Sequence, residues 1–233
     1  MPTTASADRE RQVLELWEGT VGLDRWQRDD TLLGRATAAP RGLGARNRAL
    51  LALRNVLFDR RWTLSSACPA CATECEFPVD CVALAEQLGE EPPADCATIE
   101  WAGRSLTMRA PTIDDLIATA GESDGAGALL ARCVEGAPEL AIDDPAIEML
   151  ERRLEALDPA ATISFGLRCL ACTHEWSSLL DVGEALSAEL RRAAERTLIE
   201  VDALARAYGW TEAEVMQLSP VRRAAYLQLV EAV

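Results

Sequence analysis

The chain has 233 residues, 49% of them hydrophobic, which suffices for one large domain or two small ones with real cores. Its formal net charge is −15, and residues 63–233 carry 12 Arg against 30 acidic residues, a balance that repels phosphate and argues against general nucleic-acid binding. No apolar run approaches the ~20 residues a bilayer demands, and the polar start MPTTASADRERQ lacks an apolar signal region, so a cytoplasmic location is expected.

Residues 1–62 differ from the rest, with 11 Arg against 8 acidic residues. An Arg-rich first quarter could dock on the acidic remainder or on a partner. The opening segment places Val13, Leu16 and Trp17 at helical spacing. Residues 34–45, rich in Gly, Pro and Ala, read as a connector. The stretch ARNRALLALRNVLFDRRW then predicts a helix with Leu50, Leu53, Leu57 and Phe58 on one stripe, leading directly into the segment SSACPACATECEFPVD.

Residues 81–88 predict a short helix, ended by Glu90-Glu91-Pro92-Pro93. Residues 97–109 predict a hairpin turning at Ala102-Gly103. Thr112 followed by Asp115 predicts a helix start, and Gly121 its end. Helices are expected at 127–135 and at 145–157, the second opening at Asp144-Pro145. From 181 onward the chain reads as helical, with Leu186, Leu190, Leu198, Val201 and Leu204 in a stripe and Gly209 as a stop. Thr211-x-x-Glu214 is a capping box, and Ser219-Pro220 opens a last helix with Leu227 and Val230 facing in.

One internal repeat carries chemistry. Cys68-Pro-Ala-Cys71 leads to Asp80 as Cys169-Leu-Ala-Cys172 leads to Asp181, with the same gap. Glu74 aligns with Glu175, and Val79 with Leu180. Each Cys-x-x-Cys turn can place two thiolates on one side of a metal ion, and two such turns complete a tetrahedral shell. Knuckles of a zinc ribbon are usually ~15–20 residues apart; here 97 residues lie between Cys71 and Cys169. The expectation is one structural Zn²⁺ held by Cys68, Cys71, Cys169 and Cys172. The fold expected is α+β, mainly α-helical, with a split zinc-ribbon-like β element, a helical insertion and a helical tail. Segments are expected at 1–45, 46–181 and 182–233.

Other uses of the thiols stay open: redox exchange, disulfides, or iron in place of zinc, which four thiolates also accept. Cys75 could substitute in the shell, whereas Cys81, Cys96 and Cys133 read as small buried hydrophobes. His174, the single histidine, stands beside the second knuckle. No catalytic residue is expected. Asp114-Asp115 and Asp143-Asp144 sit at helix starts, where capping accounts for them, and neither a phosphate loop nor a Gly-x-Ser-x-Gly elbow is present. Arg152-Arg153, Arg191-Arg192 and Arg222-Arg223 read as solvated helix faces. Trp17, Trp101 and Trp210 read as packing residues that could also anchor an interface.

The run from Leu204 through Tyr208-Gly209-Trp210 and Leu218-Ser219-Pro220 to Arg222-Arg223 and Tyr226-Leu227 resembles a signature of the T-even-type phage baseplate protein family, found in contractile tails and contractile injection systems. The stretch from Trp101 through Arg109-Ala110-Pro111-Thr112 to Asp115-Leu116, and a Leu/Arg-rich helix entering a Cys-Pro-x-Cys knuckle, are similar to the same family. The resemblance spans roughly residues 45–233. It implies a structural or assembly role with no active site, in contact with other baseplate, hub or tail-tube proteins; neither a small-molecule substrate nor, given the acidic charge balance, a nucleic acid is expected. A zinc-ribbon adaptor of the transcription or translation machinery is the competing reading. It calls for an Arg-rich face at the knuckles, where this chain has Glu74, Glu76, Asp80, Glu175 and Asp181.

Overall fold

A computed structural model describes residues 3–34, 40–90, 96–101, 103–135 and 145–231. The fold is α+β and mainly helical, with small antiparallel sheets. The chain forms two compact units: Met1–Arg35 with Gly183–Val233, and Ala36–Val182.

The first unit is all-helical. Helix α1 (Thr3–Thr20) buries Val13 and Leu14, the second of which periodicity had not singled out. A further helix, α2 (Arg25–Leu32), was not foreseen; Asp24 caps it by accepting from the Trp26 and Gln27 amides. Five helices and seven strands, described below in their places, precede the return to this unit through the long helix α8 (Val182–Tyr208). The α8 stripe buries Leu186, Leu190, Val201 and Leu204. Gly209, at φ +69°, ends it in the left-handed conformation glycine tolerates, its amide donating to the Ala205 carbonyl at 2.8 Å. The Thr211–Glu214 capping box opens α9 (Glu212–Gln217), and α10 (Pro220–Glu231) follows. Leu14, Ala194, Val201, Leu204, Val215 and Met216 form the core of this unit.

Arg223 overturns the expectation of a solvated Arg222-Arg223 face. Its side chain is 1% exposed. Its Nε donates to Glu200 at 2.9 Å and its terminal nitrogen to Glu10 at 2.5 Å, tying α10 to α8 and α1. Both carboxylates lie far away in sequence, so a local pattern cannot reveal them.

In the second unit, α3 (Leu43–Leu57) buries Leu50, Leu51, Arg54 and Leu57. It does not run into the first knuckle. It stops at Leu57, and after three residues β1 (Arg61–Ala67) carries the chain to the knuckle. Arg54 holds this junction: its guanidinium lies 5.2 Å from the Trp62 ring centroid and donates to the Arg61 carbonyl at 3.0 Å. β1 pairs with β2 (Glu74–Asp80), and Asp80 caps α4 (Cys81–Leu88) through the Val82 and Ala83 amides.

The predicted hairpin is present as β3 (Cys96–Trp101) and β4 (Arg104–Arg109), with Gly103 at φ +74°. Ala102 and the Trp101 side chain lie outside the described residues, as do Glu91-Pro92-Pro93 and Asp143-Asp144. A third strand, β5 (Val134–Glu135), was too short to predict. Thr112 and Asp115 form the capping box of α5 (Ile113–Thr119), and α6 (Gly125–Cys133) follows. Asp115, 1% exposed, accepts two hydrogen bonds from Arg109 (2.6 and 2.9 Å) and one from Arg132 (3.0 Å). These bonds hold its carboxyl well below the usual range, the Arg109 guanidinium contributing most. Helix α7 (Pro145–Leu157) leads to β6 (Ser164–Arg168), which pairs with β7 (Glu175–Leu179). Leu106, Met108, Leu130, Val134, Leu150 and Leu157 form a core cluster in this unit.

Candidate metal centre

Each knuckle sits at the tip of a two-stranded hairpin, β1–β2 or β6–β7. The two hairpins share one register: Ala67 pairs with Glu74 as Arg168 pairs with Glu175, every residue moved by 101 positions. The turns match as well. The Cys68 amide donates to the Thr73 carbonyl and the Ala72 amide to the Cys68 carbonyl, at 2.9 and 2.8 Å. In the second copy Cys169 and His174, then Thr173 and Cys169, make the same bonds at 2.9 Å each. Ala72 (φ 59°) and Thr173 (φ 63°) both take the left-handed conformation, which costs ~1–2 kcal/mol for a residue with a Cβ. The same strain at matching positions shows that the two knuckles share one turn geometry.

The knuckles meet. The Sγ atoms of Cys68, Cys71, Cys169 and Cys172 all lie within 4.8 Å of one another. Cys68 is 3.6 Å from Cys172, and Cys71 is 3.6 Å from Cys169. Sulfurs bound to a tetrahedral Zn²⁺ at about 2.3 Å stand about 3.8 Å apart, so this cluster has the dimensions of a metal shell. The first cysteine of each pair is buried and the second exposed, as a two-fold arrangement requires.

Electrostatics favour a cation here. Thr73 lowers Cys71 to about 6, through its hydroxyl first and its amide second. The Cys172 and Ala171 amides lower Cys169. At Cys172 the His174 amide favours the thiolate, but the Cys71 sulfur and burial outweigh it, and the thiol is pushed up to about 12. Four sulfurs this close cannot all ionise without a positive charge among them; a divalent ion such as zinc supplies it. The donor set therefore fits the metal, and it fills a tetrahedron.

The hairpins also touch below the sulfurs. Phe77 and Phe165 have ring centroids 5.5 Å apart. Trp176 Nε1 lies 3.4 Å from Ser66 Oγ, and the Ser178 hydroxyl 2.9 Å from the same atom. These contacts were missed in the sequence, although the alternation of Phe165 with Leu167 and of Trp176 with Ser178 carries the strand signal.

Of the remaining cysteines, Cys75 lies beside the four-sulfur cluster, against the Cys169 sulfur. Cys75 is half-buried on β2, and burial raises its thiol. Cys81 and Cys133 are buried, and burial pushes Cys133 up to about 11. Cys96 is exposed, contrary to the expectation of a buried hydrophobe. It opens the edge strand β3, where Ala97 and Ile99 take the inward face and Cys96 the outward one. His174 is exposed; its ring stacks on Trp176, centroids 6.3 Å apart.

Among the described residues, no helix is long and apolar enough to cross a membrane. No family model, curated protein or solved structure matches the chain.

Proposed function

We propose that the chain is a structural or assembly component of a phage-tail-like contractile particle baseplate. Its two knuckles hold one structural Zn²⁺, and it acts through contacts with other baseplate, hub or tail-tube proteins rather than by catalysis. It works in the cytoplasm or within the assembled particle. The observation that carries the structural reading is the four-sulfur cluster, which leaves no open ligand position for chemistry. The assembly role rests on the run from Leu204 to Leu227 and its resemblance to the baseplate family.

Within that run, Tyr208 stacks on Trp210 with centroids 4.7 Å apart, and Tyr226 meets both rings edge-on, 4.9 Å from Trp210 and 5.6 Å from Tyr208. Trp210 and Tyr226 pack on the core of the first unit, whereas Tyr208 remains 40% exposed. Truncation at 208 would therefore remove core residues, and a Tyr208→Ala variant is the cleaner probe of a surface role.

The test is affinity purification of the tagged chain from its own host, with metal analysis, alongside electron microscopy of a deletion strain. Expected are one equivalent of zinc, co-purifying tail proteins, and tails that lack baseplates in the deletion. Intact tails in the deletion strain, with ribosomal or polymerase subunits on the tagged chain, would replace this reading with the zinc-ribbon adaptor.

A further inference from the structure

The two hairpins share one register, yet their side chains differ at matched positions on the two sides of the metal centre. On one side of the metal centre, Trp176 and Ser178 of β7 close onto Ser66 of β1. On the other side, the residues 101 positions away are Cys75 and Phe77 of β2 and Leu167 of β6. Cys75 thus stands where its twin carries an indole. A cavity of about 580 Å³ opens there, lined by residues 73–77 on one wall and by Leu167, Arg168, Leu170 and Ala171 on the other.

Successive side chains of a strand point to opposite faces, so five consecutive residues line a cavity only when it meets the strand along its edge. β2 has no ladder partner on that edge among the described residues. The bonds from Cys68 to Thr73 and from Cys81 to Arg60 mark the hydrogen-bonded pairs of the β1–β2 ladder. Alternation then turns the amides and carbonyls of Glu74 and Glu76 away from β1, toward the open edge. Pro78 has no amide hydrogen and ends that edge. The Glu74 and Glu76 side chains are exposed on one face, and Cys75 and Phe77 are half-buried on the other. Leu170, 98% exposed on the second knuckle, stands at the rim.

Charge selects the occupant. Residues 36–182 contain 12 Arg against 23 acidic residues, and Arg168 at the groove already faces Glu175 at 3.8 Å. We propose that an extended segment of another protein adds to β2 as a third strand, its aromatic side chain filling the place beside Cys75 and its neighbouring basic side chains meeting Glu74 and Glu76. Backbone pairing supplies part of the attraction and the alternating side chains supply the selectivity. The inference rests on the proposed function only for the partner being an assembly protein.

The test uses the full-length, zinc-loaded chain and the peptide acetyl-Arg-Trp-Arg-Val-Arg-amide, with binding read by calorimetry at physiological salt. Replacing the peptide's Trp by Ala, or its Arg residues by Glu, weakens binding roughly tenfold or more. Cys75→Trp, which gives β2 the residue of its twin, does the same while keeping the metal. The Glu74→Arg/Glu76→Arg double variant provides a second reading that leaves the cavity intact, and it also loses the peptide. Equal affinity for the Trp and Ala peptides, or unchanged affinity in the double variant, overturns the proposal. A wild-type dimer that Cys75→Trp renders monomeric puts a second copy of this chain in the groove and also overturns it. A chain that binds the peptide without holding metal upholds the groove and sinks the zinc reading; a metal-loaded chain blind to the peptide does the reverse.

Discussion

Replacing Cys169 by Ser removes one buried sulfur of the four and, with it, the clip between the hairpins. The clip closes a loop with 97 residues between Cys71 and Cys169. By the chain-entropy argument for cross-links, a loop of about 100 residues contributes roughly 4.7 kcal/mol by constraining the unfolded state. The Phe77–Phe165 pair and the contacts to Ser66 persist without metal, so this figure is an upper bound. Each kcal/mol moves the midpoint of a domain this size by roughly 2–4 °C, so the variant is expected to melt lower by up to ~10–20 °C. Thermal unfolding followed by circular dichroism, with zinc measured on the same samples, checks this. Chelator should bring the wild type to the variant's midpoint and leave the variant unmoved. A Cys169→Ser chain that keeps one equivalent of metal and melts within about 2 °C of wild type would refute the loop-closure reasoning.

Asp115→Asn removes the negative charge and one of the two acceptor oxygens that serve Arg109 and Arg132; both arginines are 44% exposed, so solvent screening reduces the cost to about 2 kcal/mol in urea titrations. Since the folded Asp115 carboxyl lies below its unfolded value of ~3.9, its contribution is complete above that pH and fades as the pH falls through and below it. The wild type and the variant should therefore converge in stability on acidification, and a gap that stays constant below pH ~3 would contradict this. Gly44→Ala directs a Cβ onto the Asp158 carboxylate that receives Arg48 at 2.7 Å, and is expected to cost roughly 1–3 kcal/mol by chemical denaturation. Arg223→Ala leaves Glu10 and Glu200 without their shared donor and is expected to cost about 2–3 kcal/mol, with hydrogen exchange rising first in α10.

The parts of this protein legible in its sequence are those written at short range. The Cys-x-x-Cys spacing, the Thr211–Glu214 box, the Gly209 stop and the turn at Gly103 each rest on residues within a few positions of one another, and each is found in the structure. The α8 stripe was legible because its apolar period holds over many turns. What escaped depended on distant partners. Arg223 reads as surface until Glu10 and Glu200 are placed around it. The strand character of Trp62 and Leu64 was hidden because β1 follows a strong helix pattern after only a short break. The joining of the first residues to the last helices left no local mark at all.

That joining sets an order of events during synthesis. Leu14 in α1 packs in the same core as Ala194, Leu204 and Met216. At translation rates of roughly 5–20 residues per second, α1 emerges about 10–40 seconds before those residues exist. Its apolar face must stay uncommitted for that interval, and Cys68 and Cys71 likewise hold an incomplete coordination shell until the second knuckle is made. A nascent chain arrested before residue 169 would thus present two unfinished surfaces at once, which makes it the form most in need of a chaperone.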